Sequence, residues 1–410
     1  MKFNKWTVGL AAIGVVSLAS AARADEKMSP VQTALSNTTL SGYVDVAAIW
    51  RPGTDQGALG GPNIPASAFS KNDGFYLNAV DIALDKPLDE SPWAAGYHVE
   101  LMTGPDSMPA SSGAFGIRQA YVALRTPVGN GIDWKVGVFD TIIGYESTSC
   151  PLNPNYTRSY GYTIEPTTHT GVLATYKVND VLSISAGVAD SSNIGTGTQA
   201  INGISTYESQ KTYMGAIALT APDSFGAMKG ATFNLGAINS VDSAVYGAGT
   251  RTSLYAGLTV PTPSNKVKFG AAFDYLNFSN SGGGNGDDSI WVAGLFATFQ
   301  ATDKLSFNLR GEVVDATQIG TSLGGGIVTT TPASPNPLNF WYAGHYAEEV
   351  TATVQYQLWA NVLSRVEFRW DHVGGNAFGY GQVVTGGATT IGLPMKENDF
   401  MLALNLIYQF

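Results

Sequence analysis

From Thr39 to the C-terminus, apolar side chains recur at every second position in about sixteen segments of roughly 9 to 14 residues, the 180° periodicity of strands and not of helices. The last segment shows it most plainly. Phe400, Leu402, Leu404, Leu406, Tyr408 and Phe410 share one face, and Asp399, Met401, Ala403, Asn405, Ile407 and Gln409 share the other. In the fifteenth segment Val362, Val366, Phe368 and Trp370 stand opposite Arg365, Glu367, Arg369 and Asp371. The fourteenth sets Val350, Val354, Tyr356 and Leu358 against Glu349, Thr351, Thr353, Gln355 and Gln357, and the thirteenth sets Leu305, Phe307, Leu309 and Val313 against Asn308, Arg310 and Glu312.

A soluble sandwich also alternates, because one face of each sheet packs on the other sheet and one meets water. Segment length separates the cases: globular strands average about 5 to 6 residues, whereas a tilted strand crossing a bilayer needs about 9 to 11. The charges agree, since three or four ionised groups on one face suit a water-filled lumen. Charged residues are only 13% of the chain, about half the usual quarter of a soluble domain, while the hydrophobic share is an ordinary 44%.

Proline cannot donate to a strand ladder, and the 19 prolines are expected outside all sixteen segments. The links sort by length. Even-numbered links are short: Asp85 to Trp93, Pro127 to Gly131, Asn179-Asp180, Ala221 to Lys229, Pro261 to Asn265, Thr302-Asp303 and Ala360-Asn361. Odd-numbered links are mostly long: Arg51 to Gly74, Met102 to Gly116, Thr141 to Thr167, Ser191 to Thr206, Ala316 to His345 and Val373 to Glu397, with shorter ones near Asp242 to Ala248 and Ser279 to Asp288. Two aromatic bands follow the rims, where Trp and Tyr favour the headgroup level: Trp93, Trp134, Tyr176, Phe299, Phe307, Trp359, Tyr408 and Phe410 near the short turns, and Trp50, Phe75, Tyr275, Trp291, Trp370 and Phe400 near the long loops. Lipid offers no partner to an unpaired N–H or C=O, so such a sheet must close on itself. The expected fold is an all-β transmembrane antiparallel β-barrel of sixteen strands with short periplasmic turns and long extracellular loops.

Lys2 and Lys5, the apolar run Val8 to Ala19 and Ala22-Arg23-Ala24 before Asp25 have the form of a cleaved secretory signal. Residues 1–24 are therefore set apart, 25–38 are expected to be a short N-terminal periplasmic segment, and 39–410 the barrel. Cleavage takes the formal charge from -10 to -13, because Lys2, Lys5 and Arg23 leave with it. An acidic chain without a basic run has no electrostatic footprint for nucleic acid. The single cysteine, Cys150, excludes an intrachain disulfide and any metal site built on two thiolates.

Several blocks resemble the OmpL-like β-barrel porins of Gram-negative outer membranes. They are Ser41-Gly42-Tyr43, Asn78-Ala79-Val80-Asp81, Arg118-Gln119-Ala120-Tyr121-Val122, Phe139-Asp140-Thr141, Gly144-Tyr145-Glu146, Asn155 to Tyr162 and Glu165-Pro166-Thr167. The ending Tyr408-Gln409-Phe410 is similar to the signal by which barrel-assembly machinery recognises its clients. The resemblance implies outer-membrane lipid and lipopolysaccharide as surroundings, a homotrimer as a family expectation, and a third loop, about 141–167, folded inward. Tyr145, Glu146, Arg158 and Glu165 would then line a constriction with Asp274, Arg310, Glu312, Arg365, Glu367 and Arg369 from the wall. On the residues alone, the loop charges read equally as a solvated external loop, and the seventh loop is longer, so length does not single out the third. Further lumenal candidates are Tyr43, Asp45, His98, Glu100, Arg125 and Lys135.

Catalysis needs a base beside a nucleophile, and none of His98, His169, His345 and His372 sits in a catalytic motif. His98 with Glu100 reads as a polar wall pair. Gly320 to Gly324 fits G-x-S-x-G without the strand and helix that motif needs. Gly195 to Ala200 fits a dinucleotide loop without a following helix, and Gly283 to Ile290 fits one copy of a calcium repeat that works only in tandem. All three read as loops. The expectation is a non-enzymatic outer-membrane porin, a passive diffusion channel for small hydrophilic solutes and ions, with no cofactor or metal and weak ion preference. Alternatives are a substrate-specific channel, for example for carbohydrate, a barrel-embedded hydrolase, or a secreted β-sandwich binding protein.

Overall fold

In the computed structural model, which describes residues 31–32, 37–52, 71, 73–106, 116–190, 211–242, 249–263, 266–279, 288–317, 346–373, 383–385, 388–390 and 397–410, the period-two segments become sixteen antiparallel strands. They are β1 (Thr39–Trp50), β2 (Gly74–Lys86), β3 (Ala94–Thr103), β4 (Gly116–Thr126), β5 (Ile132–Asp140), β6 (Thr168–Lys177), β7 (Leu182–Asp190) and β8 (Lys211–Thr220). The second half comprises β9 (Thr232–Asp242), β10 (Gly249–Pro261), β11 (Val267–Ser279), β12 (Asp288–Gln300), β13 (Leu305–Thr317), β14 (Tyr346–Trp359), β15 (Val362–Val373) and β16 (Asn398–Gln409). Each pairs with its sequence neighbours, and β16 pairs with β1 from Leu402↔Trp50 to Gln409↔Tyr43. Gly42 and Phe410 then exchange both backbone hydrogen bonds at 3.0 Å, which seals the seam. With no free edge, the sandwich alternative falls.

Inside and outside follow the alternation. Along β16, Asp399, Met401, Ala403, Asn405 and Ile407 are buried, while Phe400, Leu402, Leu404, Leu406 and Tyr408 are exposed. That is the inverse of a soluble protein, and it suits a wall with lipid outside. On β15 the buried set is Leu363, Arg365, Glu367, Arg369 and Asp371. Bulges at Asp45/Val46 in the β1–β2 pairing and at Glu100/Leu101 in the β3–β4 pairing bring consecutive residues such as Asn78-Ala79 and Arg118-Gln119 to the buried side.

Short turns form because side chains substitute for the missing ladder partners. The Asn179 carboxamide oxygen accepts from Val181 N and Leu182 N at 2.8 Å, and Thr302 Oγ1 accepts from Leu305 N at 3.1 Å. Asn361 takes the left-handed conformation, φ 70°, in the two-residue link between β14 and β15, a region asparagine tolerates better than most residues.

One expectation needs correction. Pro261 is not outside the strands: it is the last residue of β10, an end position where a missing N–H is tolerated. The fourth long link, expected from Ser191 to Thr206, lies outside the described residues, which resume at Lys211 in β8. Val31–Gln32 also pairs with β1, and a short hairpin, Val383–Thr385 with Ala388–Thr390, stands in the last long loop. The signal segment 1–24, the motifs at 195–200 and 320–324, residues 283–287 and His345 lie outside the described residues.

Candidate functional site

The chain between β5 and β6 turns into the barrel. Thr141 N donates to Thr167 O at 3.0 Å and closes the neck of the loop. Within it are a 3-10 turn, Cys150–Leu152, and a short helix, α1 (Tyr160–Ile164), whose N-cap Ser159 accepts from Tyr162 N at 3.0 Å.

Its first residues sit on an apolar seat. Ile142 and Ile143 pack with Phe139 against Leu173, Ala189, Met214, Ile238 and Tyr255, which come from β6 to β10, with Tyr145 at the edge. Tyr145 stacks on Phe296 of β12 at 4.0 Å between centroids, and its hydroxyl accepts from Thr259 Oγ1 at 3.3 Å. Gly236 and Gly270 make the room: a Cβ on the first would overlap Ile143, and on the second Tyr145. Burying aliphatic side chains of this size contributes about 1.5–3 kcal/mol each.

Beyond the seat, wall side chains grip the loop by its main chain. Glu367 of β15 accepts from Tyr156 N at 2.5 Å and Thr157 N at 2.9 Å. Glu312 of β13 accepts from Tyr160 N at 2.6 Å and Gly161 N at 3.3 Å. Arginines take the carbonyls: Arg310 donates to Thr157 O at 2.7 Å, Arg369 to Arg158 O at 2.8 Å, and Arg365 to Cys150 O at 3.2 Å and to Asn153 O. The grips are braced among themselves, Arg310 to Glu349 and Glu146 at 2.8 Å each and Arg369 to Asp371 at 2.8 Å. Such groups are tolerated in a low-dielectric interior because nearly every one is paired and hydrogen-bonded.

A second group of carboxyls gathers under α1. Gly161 lies so close to the wall that a Cβ there would fall 2.6 Å from Asp274 Oδ2 and 3.7 Å from Glu312 Oε1. Burial, with Asp274, Glu146 and Glu312 around it, holds the Glu165 carboxyl well above the usual range. Arg158 lies within the loop, donating to Thr148 O at 2.9 Å and sitting 5.5 Å from the Tyr162 ring. The ten site residues named from the sequence therefore meet in one region, although Tyr156 and Tyr160 are packed against the wall and are 2–3% exposed.

Across the lumen, β2 to β5 carry a separate polar wall. His98 lies 3.0 Å from Asp85 and 3.4 Å from Glu100. Arg118 lies 2.9 Å from Glu100 and donates to both oxygens of Asp140. Lys135 lies over the Tyr121 ring, which stacks on His98. Arg118, Tyr121 and Asp140 were not named as site residues from the sequence; the bulge beside Arg118 shifts the alternation that would have revealed it. Among the described residues no group of three or more His, Cys, Asp or Glu is placed to hold a metal ion.

A family model described as "Putative beta-barrel porin-2, OmpL-like" matches residues 37–410. No curated protein matches the chain. Among solved structures the outer membrane channel DcaP of Acinetobacter baumannii superposes with a TM-score of 0.58 at 11% identity, over 93% of this chain and 100% of that one. An anion-selective porin from Comamonas acidovorans gives 0.57 at 13%, over 91% and 99%. OmpF of Salmonella typhi, in complex with daunomycin, gives 0.57 at 12%, over 91% and 97%. At these identities the structures speak for the shared barrel. The match of nearly the whole barrel to one family model, together with the closed sixteen-strand sheet, makes this chain a member of the OmpL-like β-barrel porin family.

Proposed function

We propose that this outer-membrane porin works as a passive diffusion channel for small hydrophilic solutes and ions, narrowed by its third loop, and without catalytic activity of its own. The observation carrying this is the grip of Glu312, Glu367, Arg310, Arg365 and Arg369 on the loop's main chain. A loop fastened this way inside the barrel, with Tyr156 and Cys150 also reaching Asn78, Ala79 and Met102 of β2 and β3, narrows the passage. Tyr145, Glu146, Arg158, Glu165, Asp274, Arg310, Glu312, Arg365, Glu367 and Arg369 form the loop side of this constriction. The mixture of signs there gives weak ion preference.

We further read residues 1–24 as the cleaved export signal and Tyr408 and Phe410 as the residues that barrel-assembly machinery recognises. A homotrimer is the proposed assembly; a trimer form is described for the structurally similar OmpT of Vibrio cholerae, 11% identical. Liposomes containing the purified protein are expected to swell in proportion to solute permeation for a graded series of sugars, with no saturation. Saturation at low sugar concentration would instead identify a carbohydrate-specific channel, and absence of swelling and of bilayer conductance would remove the transport role.

A further inference from the structure

The middle of the third loop is also held by a residue of another loop. Lys71 stands just before β2, in the first long link, and its side chain is 4% exposed. An ammonium has three N–H donors and no acceptor, and three acceptors meet this one: Asp106 at 2.6 Å, the Asn78 carboxamide oxygen at 2.5 Å and the Tyr156 hydroxyl at 3.0 Å. The rings of Tyr76 and Tyr156 have their centroids 5.6 and 5.4 Å from the nitrogen, within the range at which a ring face attracts a cation.

Each acceptor comes from a different part of the chain. Asp106 belongs to the second long link, just past β3, and its N–H donates to Asn78 O at 3.0 Å. Gly104 permits that approach, since a Cβ there would fall 2.3 Å from the same carbonyl oxygen. Asn78 is a wall residue of β2, brought inward beside the Asp45/Val46 bulge. Its Nδ2 donates to Asp45 of β1 at 2.7 Å, which turns its oxygen toward Lys71. Asp45 in turn accepts from Asn405 of β16 at 2.5 Å, so the set reaches across the seam of the barrel. Tyr156 is the third loop's contribution. Its hydroxyl accepts from Lys71 and donates to Asn78 at 3.1 Å, while its amide is taken by Glu367. One loop residue is thus fastened by its main chain to β15 and by its hydroxyl to β2.

We propose that Lys71 is a positioning residue for the constriction: it fills a site built for a primary ammonium group and, through Tyr156, fixes the middle of the third loop. For its effect on conduction the inference rests on the channel reading above, while the fixing of the loop is read without current. Asp106, its side chain 0% exposed, neutralises the ammonium, so the lysine contributes geometry and not field. Without it a buried carboxylate loses its cation and the Tyr156 hydroxyl loses a donor, which frees the loop on that side. A planar guanidinium or a quaternary ammonium brings charge, but not three N–H groups diverging from one nitrogen to these three oxygens.

Cys150 reports on the loop, because it belongs to it and is buried with Tyr43, Ala79 and Met102. In the purified full-length barrel in detergent at neutral pH, Lys71→Ala is expected to speed maleimide labelling of Cys150 about tenfold or more, the factor carried by one hydrogen bond to a charged group. In planar bilayers the same variant should give noisier single-channel current. Propylammonium, which supplies the atoms that the alanine lacks, should restore slow labelling and quiet current, and tetramethylammonium at the same concentration, having no N–H, should restore neither. Heat-modifiable migration checks that each variant is folded. Asp106→Asn, which removes the charge with little change of shape, serves if Lys71→Ala does not fold, and is expected to label fast and to ignore propylammonium. A folded Lys71→Ala or Asp106→Asn barrel labelled at the slow parental rate overturns the proposal, as does fast labelling of Lys71→Ala that propylammonium leaves unchanged. A parental protein that carries no current overturns the channel reading alone, and the labelling still decides on the site.

Discussion

Arg310 on β13 and Glu146 on the third loop meet at 2.8 Å with neither side chain more than 2% exposed. The same guanidinium holds the Thr157 carbonyl of the loop and, within the wall, Glu349, so it joins wall to loop at two residues. Removing it by Arg310→Ala takes the nearest cation from the buried Glu146 and Glu349 carboxylates, a change that costs up to roughly 3–5 kcal/mol where it has been measured for buried pairs. The loss falls on loop docking and not on the strand ladders. Arg310→Ala barrels are expected to keep heat-modifiable migration while showing higher, noisier single-channel conductance and faster proteolytic cleavage within 141–167.

Gly161 is the contact point between α1 and β11. Because a methyl there would press on the Asp274 carboxylate at 2.6 Å, Gly161→Ala is expected to push the helix off the wall and cost about 1–3 kcal/mol of docking, as overpacking does. Conductance should rise as for Arg310→Ala. Unchanged conductance and protease resistance in Gly161→Ala would show that the helix does not rest on that wall.

Glu165 gives the loop a pH dependence of definite sign. A carboxyl whose pKa is raised by docking holds its proton more tightly docked than free. Its contribution is therefore complete below the ordinary glutamate value of about 4.3 and disappears as pH climbs through the raised one. With Asp274, Glu146 and Glu312 facing it, alkaline solution adds repulsion under the helix. Channel noise and protease sensitivity are expected to increase toward high pH in the parental protein, and to do so less steeply in Glu165→Gln.

Cys150 lies deep in the loop, with its backbone N–H donating to the Tyr43 hydroxyl at 3.3 Å. Burial, reinforced by the Asp45 carboxylate, pushes its thiol up to about 12. Only the thiolate is reactive. Mass spectrometry after maleimide treatment in native detergent at neutral pH is expected to find no adduct, and after boiling in dodecyl sulfate one adduct per chain.

Strand positions were legible because β13 to β16 have one mainly apolar face and one more polar face, and on β15 Arg365, Glu367 and Arg369 reveal the lumen by residue type alone. The seat of the loop was not. Leu173, Met214, Ile238 and Tyr255 are apolar yet point inward, and where both faces of a strand are apolar, period two cannot tell lumen from lipid. Nor could the sequence assign partners to Glu312 and Glu367. They bind main-chain amides of the loop, which every non-proline residue offers alike, so no side-chain pattern marks the contact.

That manner of attachment separates two properties that are often tied together. Much of the mooring at Tyr156, Thr157, Tyr160 and Gly161 is made through main-chain amides, so side chains elsewhere in the loop that make no wall contact can be exchanged while the anchor holds. On the channel reading proposed above, the bore is then expected to be open to retuning through point substitutions in one strap, with the surrounding cylinder left as it is.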